Sequence, residues 1–464
     1  MSEGSPKPNG GRERPPASGA RQPPLAPEAA RELVLAEVTP LGAEPVPLED
    51  CLGRVTAAAV TSAIALQPFD NSAMDGYALR AADTEGEGTR LRLVGESRAG
   101  HPAEVAVGEG EAIWISTGAM VPAGADAVLP VEDTSEEDGQ ARQRGGPRRE
   151  DGSDVNERFV LPARPARQGE NIRRAGEDVE AGDVLIPAGR QLHAAEVAVL
   201  AAAGVAEIEC AQRPRVAILG SGDELIPPGE PLGPGQIHDS NTYALTALVH
   251  EAGAEAAHVA HLPDDPAATR QALAAALSSE LHQISYPAEG KSDAVRPPEV
   301  LIVAGGVSVG RHDHVKGALA DLGVEERFWR VALRPGGPTW FGVLRREGGR
   351  PTLVFGLPGN PVSAMVTFHL FVRPALRAST GFDPNAGRTR ATLAAPYRKK
   401  PGKTHYLRCR LELTEQGWLA HLTRATQGSH VLTSMLAADA LALIPADREE
   451  IAAGERVEVE LLRG

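Results

Sequence analysis

The chain has 464 residues and a formal charge of −15, which comes from 62 acidic and 47 basic side chains. At about 100–200 residues per domain, this length predicts two to four domains with substantial cores. The negative balance argues against nucleic acid or an anionic membrane as partner, and aromatic residues, at 4%, are too few for base-stacking platforms. Three scattered cysteines, no apolar stretch of bilayer length and no signal-peptide pattern fit a reducing cytoplasm.

The N-terminal part changes character twice. Residues 1–27 hold seven prolines and four glycines and almost no large apolar side chain, which predicts a disordered tail. A helix is predicted from Pro27, because apolar residues then recur at helical spacing. Short strands separated by Gly, Pro and Asp are expected over residues 55–131, and the polar stretch 132–156 is predicted to be an exposed hairpin loop.

From residue 215 the chain alternates between strands and helices. This alternation predicts a parallel sheet with right-handed crossovers. Strands are expected at residues 216–219, 256–262, 300–304, 328–333 and 352–355, and helices from the cap at 239–241 to Gly253, over 266–277 and over 361–380. Residues 278–298 are polar and proline-rich, which indicates a surface insertion, and the chain after residue 388 indicates a small β domain.

Three glycine-containing loops follow predicted strands of this sheet, at residues 220–224, 305–310 and 356–361. Open parallel sheets bind ligands at the carboxyl ends of their strands. Glycines there let the backbone approach a ligand and turn N–H groups towards an anion. Asn360 and Pro361 favour a helix start, which would set a positive helix end beside Ser363. Any one loop is explained by turn chemistry alone, but three on one rim favour a binding site.

A fourth unusual loop, residues 68–78, carries two acids, an amide and a hydroxyl without helical or strand period. Such a loop can be a network of Asx turns, or it can present a carboxylate to a metal or substrate.

The sequence PFDNSAMDGYALR, residues 68–80, resembles the signature of the molybdopterin molybdotransferases, the MoeA family, and of the E domain of gephyrin. Further segments agree in order along the chain from about residue 26 to the C-terminus: ISTGA (115–119), GENIRRAGED (169–178), GDEL (222–225), GQIHDSN (235–241), GGVSVG (305–310), GLPGNPVSA (356–364) and GSH (428–430). Together these motifs are highly specific, although GGVSVG alone would not be.

The resemblance implies a multidomain α/β plus β fold and a cytoplasmic homodimer. The implied domains are a disordered tail (1–25), an elongated mixed domain (26–66 plus 164–212), a β-rich domain (67–163), a central parallel α/β domain that binds molybdopterin (213–384) and a small C-terminal β-barrel-like domain (385–464). The implied reaction is the insertion of molybdate into adenylylated molybdopterin with release of AMP, supported by Mg²⁺. Transient contact with the molybdopterin adenylyltransferase and with acceptor molybdoenzymes is also implied.

The carboxylates implied for catalysis and for magnesium binding are Asp75, Glu224, Asp239 and Asp313. The implied substrates are anions, and these carboxylates would repel them unless a hard cation lay between. Mg²⁺ prefers such oxygen ligands. Which of the four ligate the metal stays open. The residues implied to bind the substrate are Thr117, Asp178, Gly305, Gly306, Ser308 and Lys316.

The molybdate pocket implied by the resemblance consists of Arg330, Arg334, Ser363, Arg408 and Ser429. Arginine suits tetrahedral oxyanions because its planar fork donates two parallel hydrogen bonds. Gly337 stands where some relatives carry lysine, so the local detail of this pocket is expected to differ.

Other hypotheses are compatible with parts of the sequence. His312 and His314 form an HxH pattern that can bind zinc or nickel, but no third ligand is visible. Cys409 beside Arg408 is a possible nucleophile, although packing explains it better. A non-catalytic molybdopterin-binding scaffold, as in gephyrin, and a tungstate-inserting relative are the alternative functions.

Overall fold

The structure is a computed structural model that describes residues 23–138, 157–278, 296–306 and 314–463. Most of the predicted tail and much of the predicted loops 132–156 and 278–298 lie outside these ranges. The chain forms two compact units, one of residues 44–210 and one that joins residues up to 43 to residues 211–464. The finer predicted division into domains stays a prediction. None of the helices in the described ranges has the length and apolar character needed to cross a membrane.

The α-helices are short, and three of them begin with proline at the first position, where the missing N–H costs nothing. A π-helical turn, Phe368–Val372, joins the last two, so the predicted helix over 361–380 is confirmed as one helical segment. Their bounds are α1 Pro27–Ala36, α2 Ala194–Ala202, α3 Asn241–Glu251, α4 Pro266–Leu277, α5 Val315–Asp321, α6 Pro361–Thr367 and α7 Arg373–Ser379.

The unit of residues 44–210 is built mainly from short strands. They are β1 Ala43–Pro47, β2 Val60–Thr61, β3 Asn71–Ser72, β4 Gly76–Leu79, β5 Leu91–Ser97, β6 Glu111–Ile115, β7 Ala127–Pro130, β8 Thr134–Asp138, β9 Arg158–Pro162, β10 Ile172–Arg173, β11 Val184–Ile186 and β12 Glu207–Ala211. A six-stranded sheet has the order β7-β4-β6-β5-β9-β8. The pairs β1–β12, β2–β11 and β3–β10 form small separate ladders.

This unit holds separate apolar cores. Tyr77, Leu79, Leu91 and Leu129 pack inside the six-stranded sheet, while α2 packs with the β1–β12 and β2–β11 ladders. The predicted loop 132–156 is corrected at its start, because residues 134–138 form β8 and pair antiparallel with β9.

The second unit contains a six-stranded sheet of order β16-β13-β17-β21-β20-β18. Its strands are β13 Arg215–Ser221, β16 Glu255–Leu262, β17 Val300–Ala304, β18 Glu325–Trp329, β20 Trp340–Leu344 and β21 Thr352–Leu357; two short strands, β14 Leu225–Ile226 and β15 Ile237–His238, form a parallel pair beside it. Strands β16, β13, β17 and β21 are parallel, as predicted. The wholly parallel expectation is wrong at one edge, because β20 runs antiparallel to both β21 and β18.

Alternate residues of the central strands face opposite layers of helices. Val216 and Ile218 pack in the core that contains α3 and α6, whereas Ala217 and Leu219 pack in the core that contains α4 and α5. Since side chains alternate along a strand, both faces of these strands must be apolar, which explains their unbroken runs of aliphatic residues.

The C-terminal part is a closed barrel. Its strands are β22 Arg388–Leu393, β23 Tyr397–Arg398, β24 Thr404–Thr414, β25 Gly417–Leu422, β26 Ala440–Ile444, β27 Glu450–Ile451 and β28 Arg456–Leu461. The order β24-β25-β22-β28-β26 closes because β24 also pairs with β26. The short strand β19, Leu333–Arg334, pairs in parallel with β24 and so joins the turn after β18 to the barrel.

A buried carboxylate lies between the barrel and the helices of this unit. Glu460 on β28 is 6% exposed and forms ion pairs of 3.3 Å with Arg31 of α1 and 3.2 Å with Arg373 of α7. Arg388 lies 3.6 Å from the same carboxylate. This barrel acid therefore pairs with basic side chains of α1 and α7 and with Arg388 of the neighbouring barrel strand.

We predict that Glu460→Gln lowers stability by about 3–5 kcal/mol, because it leaves buried arginines without their anion. The control is Glu458→Gln, two residues earlier on the same strand, where the side chain is exposed. Thermal unfolding followed by circular dichroism measures both variants. Equal melting temperatures for the two variants would contradict a clamping role for Glu460.

Candidate active site

The strands that lead into the three predicted glycine loops end on one rim, and residues 307–310 of the second loop lie outside the described residues. Strands β13, β17 and β21 are neighbours and parallel, so their carboxyl ends lie side by side. The Gly305 N–H donates to the carbonyl oxygen of Leu357 at 3.0 Å, which links the second loop to the end of β21. Gly305 has φ +89°, and a Cβ there would lie 2.8 Å from the Ser221 carbonyl oxygen, so the loops touch through backbone that tolerates no side chain.

Asp239 supports this rim from the start of α3. One carboxylate oxygen accepts the backbone N–H groups of Asn241 at 3.0 Å and Thr242 at 3.1 Å, and the other accepts the Thr242 hydroxyl. Asn241, which is 6% exposed, donates its side-chain N–H to the Gly359 carbonyl oxygen at 2.7 Å. The capped start of α3 is thereby joined to the third loop.

Glu224 and Asp239 are the predicted magnesium ligands that the structure describes in this unit. The side chain of Glu224 is exposed and that of Asp239 is half-buried. In the described ranges, no three His, Cys, Asp or Glu side chains form a cluster that could hold a metal. Magnesium usually binds through one or two carboxylates plus substrate phosphates, so these two residues fit such a site. Asp313, Ser308 and His312 lie outside the described residues.

The unit of residues 44–210 brings together two other predicted residues. Asp75 is exposed and accepts the backbone N–H of Thr117 at 2.6 Å and its hydroxyl at 2.9 Å. These hydrogen bonds, the backbone one first, lower the pKa of the Asp75 carboxyl below its usual value. Asp75 is therefore held in one orientation as a carboxylate.

Asp178 belongs to a segment that lies beside the loop of residues 68–78. Strand β10 pairs with β3, Asp70 accepts the Ala175 N–H at 2.8 Å, and the Asp178 N–H donates to the Leu66 carbonyl oxygen at 3.2 Å. The Asp178 side chain is exposed.

Lys316 and Arg330 share one aromatic ring. The Lys316 amino group lies 3.6 Å, and the Arg330 guanidinium 4.5 Å, from the centre of the Trp329 ring. Arg330 is a non-glycine residue with φ +76°, and its N–H donates to the Thr339 carbonyl oxygen at 2.9 Å. The ring therefore orients two cations that the sequence separates by 14 positions.

The turn after Arg334 packs on α6. Arg334 is exposed, whereas Ser363 is buried. Gly336 has φ +108°, and a Cβ there would lie 2.4 Å from Thr367 of α6 and 3.7 Å from the Ser363 carbonyl oxygen. The turn and Ser363 therefore belong to one contact region.

Arg408 is the most unusual predicted residue, because its buried guanidinium has no carboxylate partner in the part of the chain that the structure describes. It is 0% exposed, and its hydrogen bonds go to the Ser434 hydroxyl at 3.2 Å and the Gly428 carbonyl oxygen at 3.1 Å. One terminal nitrogen has no hydrogen-bond partner among the described residues. Burial lowers the pKa of Arg408 to about 10, which still leaves it charged at neutral pH.

A cavity of about 550 Å³ connects this region with Arg334, and it is lined by Arg334, Tyr397 and Gly428 among others. Ser429, beside Gly428, is half-buried and makes no hydrogen bond through its side chain among the described residues. Both Arg334 and Arg408 act through space on the Tyr397 hydroxyl, although its burial is the larger effect and raises its pKa. The hydroxyl also bonds to the His405 ring at 2.9 Å.

Sequence reasoning missed Ser434, Asn241 and Tyr397. Ser434 and Asn241 are buried polar residues whose partners come from distant segments, so only the fold reveals them. Cys409, in contrast, is packed inside the barrel, and burial raises the pKa of its thiol to about 12, which argues against a nucleophile.

Comparison with known proteins assigns the family. Three family models match in order: the MoeA N-terminal region, domains I and II, over residues 25–204; a probable molybdopterin binding domain over residues 217–378; and the MoeA C-terminal region, domain IV, over residues 390–462. The molybdopterin molybdenumtransferase of Haemophilus influenzae is 32% identical over 436 residues, which cover 93% of this chain and 97% of that protein. The chain belongs to the molybdopterin molybdenumtransferase family.

Two further comparisons support the same family assignment. Molybdopterin molybdenumtransferase 2 of Mycobacterium tuberculosis is 36% identical over 89% of this chain and 94% of its own length. A crystal structure of a molybdopterin biosynthesis MoeA protein from Pyrococcus horikosii superposes with a TM-score of 0.73 at 32% identity, covering 95% of this chain and all of that one. The MoeA-like multidomain fold with its C-terminal barrel is thus confirmed.

The unpartnered charge of Arg408 yields a prediction that does not depend on activity. If the molybdate pocket predicted from the sequence includes Arg408, molybdate at a hundred times its Kd should stabilise the wild type by about 2.7 kcal/mol and so raise its melting temperature. Arg408→Met should melt no lower than wild type without anion, because an apolar side chain replaces a buried unpaired charge.

The same variant should lose the stabilisation by molybdate. Arg410→Gln, on the same strand but exposed, is the control and should keep it. Equal stabilisation of Arg408→Met and wild type would mean that the anion does not contact Arg408.

Proposed function

We propose that this member of the molybdenumtransferase family inserts molybdate into adenylylated molybdopterin, releases AMP and so completes the molybdenum cofactor. The buried guanidinium of Arg408, which lacks a carboxylate and lies behind a cavity lined by Arg334, is the observation that supports this proposal most strongly. A permanent cation in such a place needs an anion, and molybdate is the anionic substrate of the proposed reaction.

The substrate's phosphoanhydride is assigned to the glycine rim. Gly305 and Gly306 suit phosphate oxygens, because a backbone without Cβ atoms lets a ligand approach closely. The Gly305 N–H is already bonded to Leu357, so Gly306 is the better candidate for donating its N–H to the substrate. Ser308 and Lys316 are further candidates for substrate contact. Asn241 and Asp239 also position the rim, since they fix the start of α3 against the third loop.

Magnesium is the proposed cofactor, and Glu224 and Asp239 would hold it in this unit. When bound, it neutralises the charge that develops on the phosphoanhydride as AMP leaves. Asp75, oriented by Thr117, and Asp313 complete the proposed set of carboxylates, with Asp178 as a substrate contact. The family resemblance implies a homodimer in which the second subunit completes the site.

The molybdate pocket is proposed to use Arg330, Arg334, Ser363, Arg408 and Ser429, to which the structure adds Ser434. Ser434 accepts a hydrogen bond from Arg408 and donates to the Val431 carbonyl oxygen at 2.6 Å, so it holds the guanidinium in place. Arg334, at the cavity, is the candidate for direct contact from the exposed side.

The test is incubation of the purified full-length chain with adenylylated molybdopterin, Mg²⁺ and molybdate. AMP release, followed by chromatography, and molybdenum retained on the pterin, followed by elemental analysis, should rise together. A binding scaffold would give neither product, and a tungstate-inserting relative would give both only when tungstate replaces molybdate. Sedimentation of the active sample tests the homodimer, which a fully active monomer would contradict.

Asp75→Asn is predicted to keep the fold and to slow AMP release strongly. The amide preserves size and can still accept from Thr117, but it removes the negative charge that would bind a hard cation. Glu85→Gln, an exposed acid in the same unit, is the control and should turn over normally. The rates are compared at limiting and saturating Mg²⁺. Normal turnover of Asp75→Asn at limiting Mg²⁺ would remove this carboxylate from the metal site.

Arg334→Gln is predicted to raise the molybdate concentration for half-maximal insertion by about ten- to a hundredfold, the value of one charge-assisted contact. Binding of the adenylylated substrate should change less, since the glycine rim and the metal hold its phosphates. Adding Gly337→Lys to Arg334→Gln should partly restore the affinity for molybdate, because the lysine returns a positive charge. Gly337 can accept a side chain, since it has an ordinary φ and a Cβ there would lie 3.4 Å from the nearest atom. Molybdate titrations that superpose for wild type and Arg334→Gln would place the anion elsewhere.

A further inference from the structure

A group of lysines lies at the mouth of the cavity that contains Arg334. Of the 47 basic residues of the chain, six are lysines, and three of these six are Lys399, Lys400 and Lys403. All three line the cavity, together with His405 of β24. In a chain that otherwise uses arginine for its positive charge, this concentration at one turn is distinctive.

The cavity also lacks acids. None of its lining residues is Asp or Glu, although acidic residues outnumber basic ones by 62 to 47 in the chain. Arg334, Lys400 and Lys403 have no carboxylate within ion-pair distance among the described residues, whereas Arg398 at the same turn pairs with Glu450 at 3.0 Å. Asp447 acts through space on Lys399, but it does not line the cavity. Like charges that outnumber the counter-charges around them repel one another, so their grouping favours an anionic ligand.

The three lysines have different tasks. Lys399 donates to the carbonyl oxygens of Lys403 at 3.0 Å and Ala446 at 3.1 Å, so it braces the turn. The Lys403 amino group reaches the turn after Arg334, where it lies 4.0 Å from the position that a Cβ on Gly337 would occupy. Lys400 and Lys403 are therefore the exposed donors at the mouth, and Lys403 adds its charge near the turn after Arg334.

The inner end of the same cavity approaches Arg408. Gly428, whose carbonyl oxygen accepts a hydrogen bond from Arg408, lines the cavity. Leu407, the residue before Arg408, lines it too. Arg408 is fully buried with one nitrogen unpartnered. The cavity therefore has cations at its mouth and an unpaired cation behind its inner wall.

We propose that Lys400 and Lys403, with Arg334, form an outer binding position for a tetrahedral oxyanion, from which the inner position at Arg408 is filled. The identification of the anion as molybdate rests on the proposed function. The same chemistry would also accept the phosphate group of a phosphorylated small molecule, because a cavity of about 550 Å³ is large enough for one.

The experiment measures anion binding to the full-length protein without pterin substrate. Equilibrium dialysis is carried out with molybdate, inorganic phosphate and AMP in separate arms, for wild type, Lys403→Gln, Lys400→Gln/Lys403→Gln and Lys403→Arg. The control is Arg410→Gln, which removes an exposed charge of the barrel strand β24 that does not line the cavity. Circular dichroism confirms folding, which these exposed positions should not disturb.

Lys403→Gln should weaken molybdate binding about tenfold and the double variant further, while Lys403→Arg and Arg410→Gln stay near wild type. Phosphate or AMP bound more tightly than molybdate, with the same lysine dependence, would assign the position to a phosphorylated ligand. Unchanged molybdate, phosphate and AMP binding in the double variant would overturn the proposal.

The insertion assay separates this inference from the proposed function. If wild type inserts molybdenum and the double variant needs no more molybdate than wild type, the outer position is wrong and the function stands. If wild type binds oxyanions through the lysines but neither releases AMP nor inserts molybdenum, the proposed function is wrong and the binding position stands.

Discussion

The chemistry proposed for this chain depends on a charge that its own fold leaves unpaired. Arg408 is completely buried in the barrel, yet its partners are a hydroxyl and a carbonyl oxygen. Taking a guanidinium out of water costs several kcal/mol, and hydrogen bonds to neutral groups offset only part of that. The barrel keeps Arg408 in this buried position, because its strand β24 pairs with β25 on one side and with β26 on the other. An anionic ligand beside Arg408 would offset the rest of this desolvation cost.

The same unit shows the opposite use of buried arginine. Arg31 and Arg373 surround the carboxylate of Glu460, and this cluster links α1 and α7 to the last barrel strand. Those arginines are paired and stabilise the arrangement of helices and barrel, whereas Arg408 is unpaired and available for binding. The position of the barrel matters for the site, since the cavity is lined by barrel residues and by Arg334 of the neighbouring β19. Structural pairing at Glu460 therefore supports the geometry that holds Arg334 on the cavity and Arg408 behind its inner wall.

Much of this could be predicted from the sequence, and the exceptions have physical causes. Strand β17 and helix α4 were predicted to within a residue, because an unbroken aliphatic run and an Asp-Pro cap are local signals. The antiparallel strand β20 was missed, since its direction is decided by pairing with β21 and not by composition.

The site residues likewise fall into those that a sequence motif reveals and those that only the fold reveals. Asp75 and Thr117 stand in recognisable motifs, and the structure joins them by two hydrogen bonds. Ser434 and Lys403 stand in none, and their roles depend on partners brought from elsewhere by the barrel. At Gly337 the sequence has no charge where some relatives carry lysine. The fold, however, brings the amino group of Lys403 to 4.0 Å from the position of a Cβ on Gly337. Charges that act together in space but come from separate segments cannot be recognised from spacing along the chain.

The carboxylates proposed for magnesium are unequal, and the difference follows from their hydrogen bonds. A carboxylate has about four lone-pair positions. In Asp239 three hydrogen bonds already occupy them, two from backbone N–H groups and one from the Thr242 hydroxyl. At most one position is left, so Asp239 can bind a cation through one oxygen only, and moving it would uncap α3 and loosen Asn241 from Gly359. Glu224 is exposed and can rotate to meet a metal carried in with the substrate. In the proposed site, Asp239 would therefore fix the position of the cation, and Glu224 would adjust to it when the substrate binds.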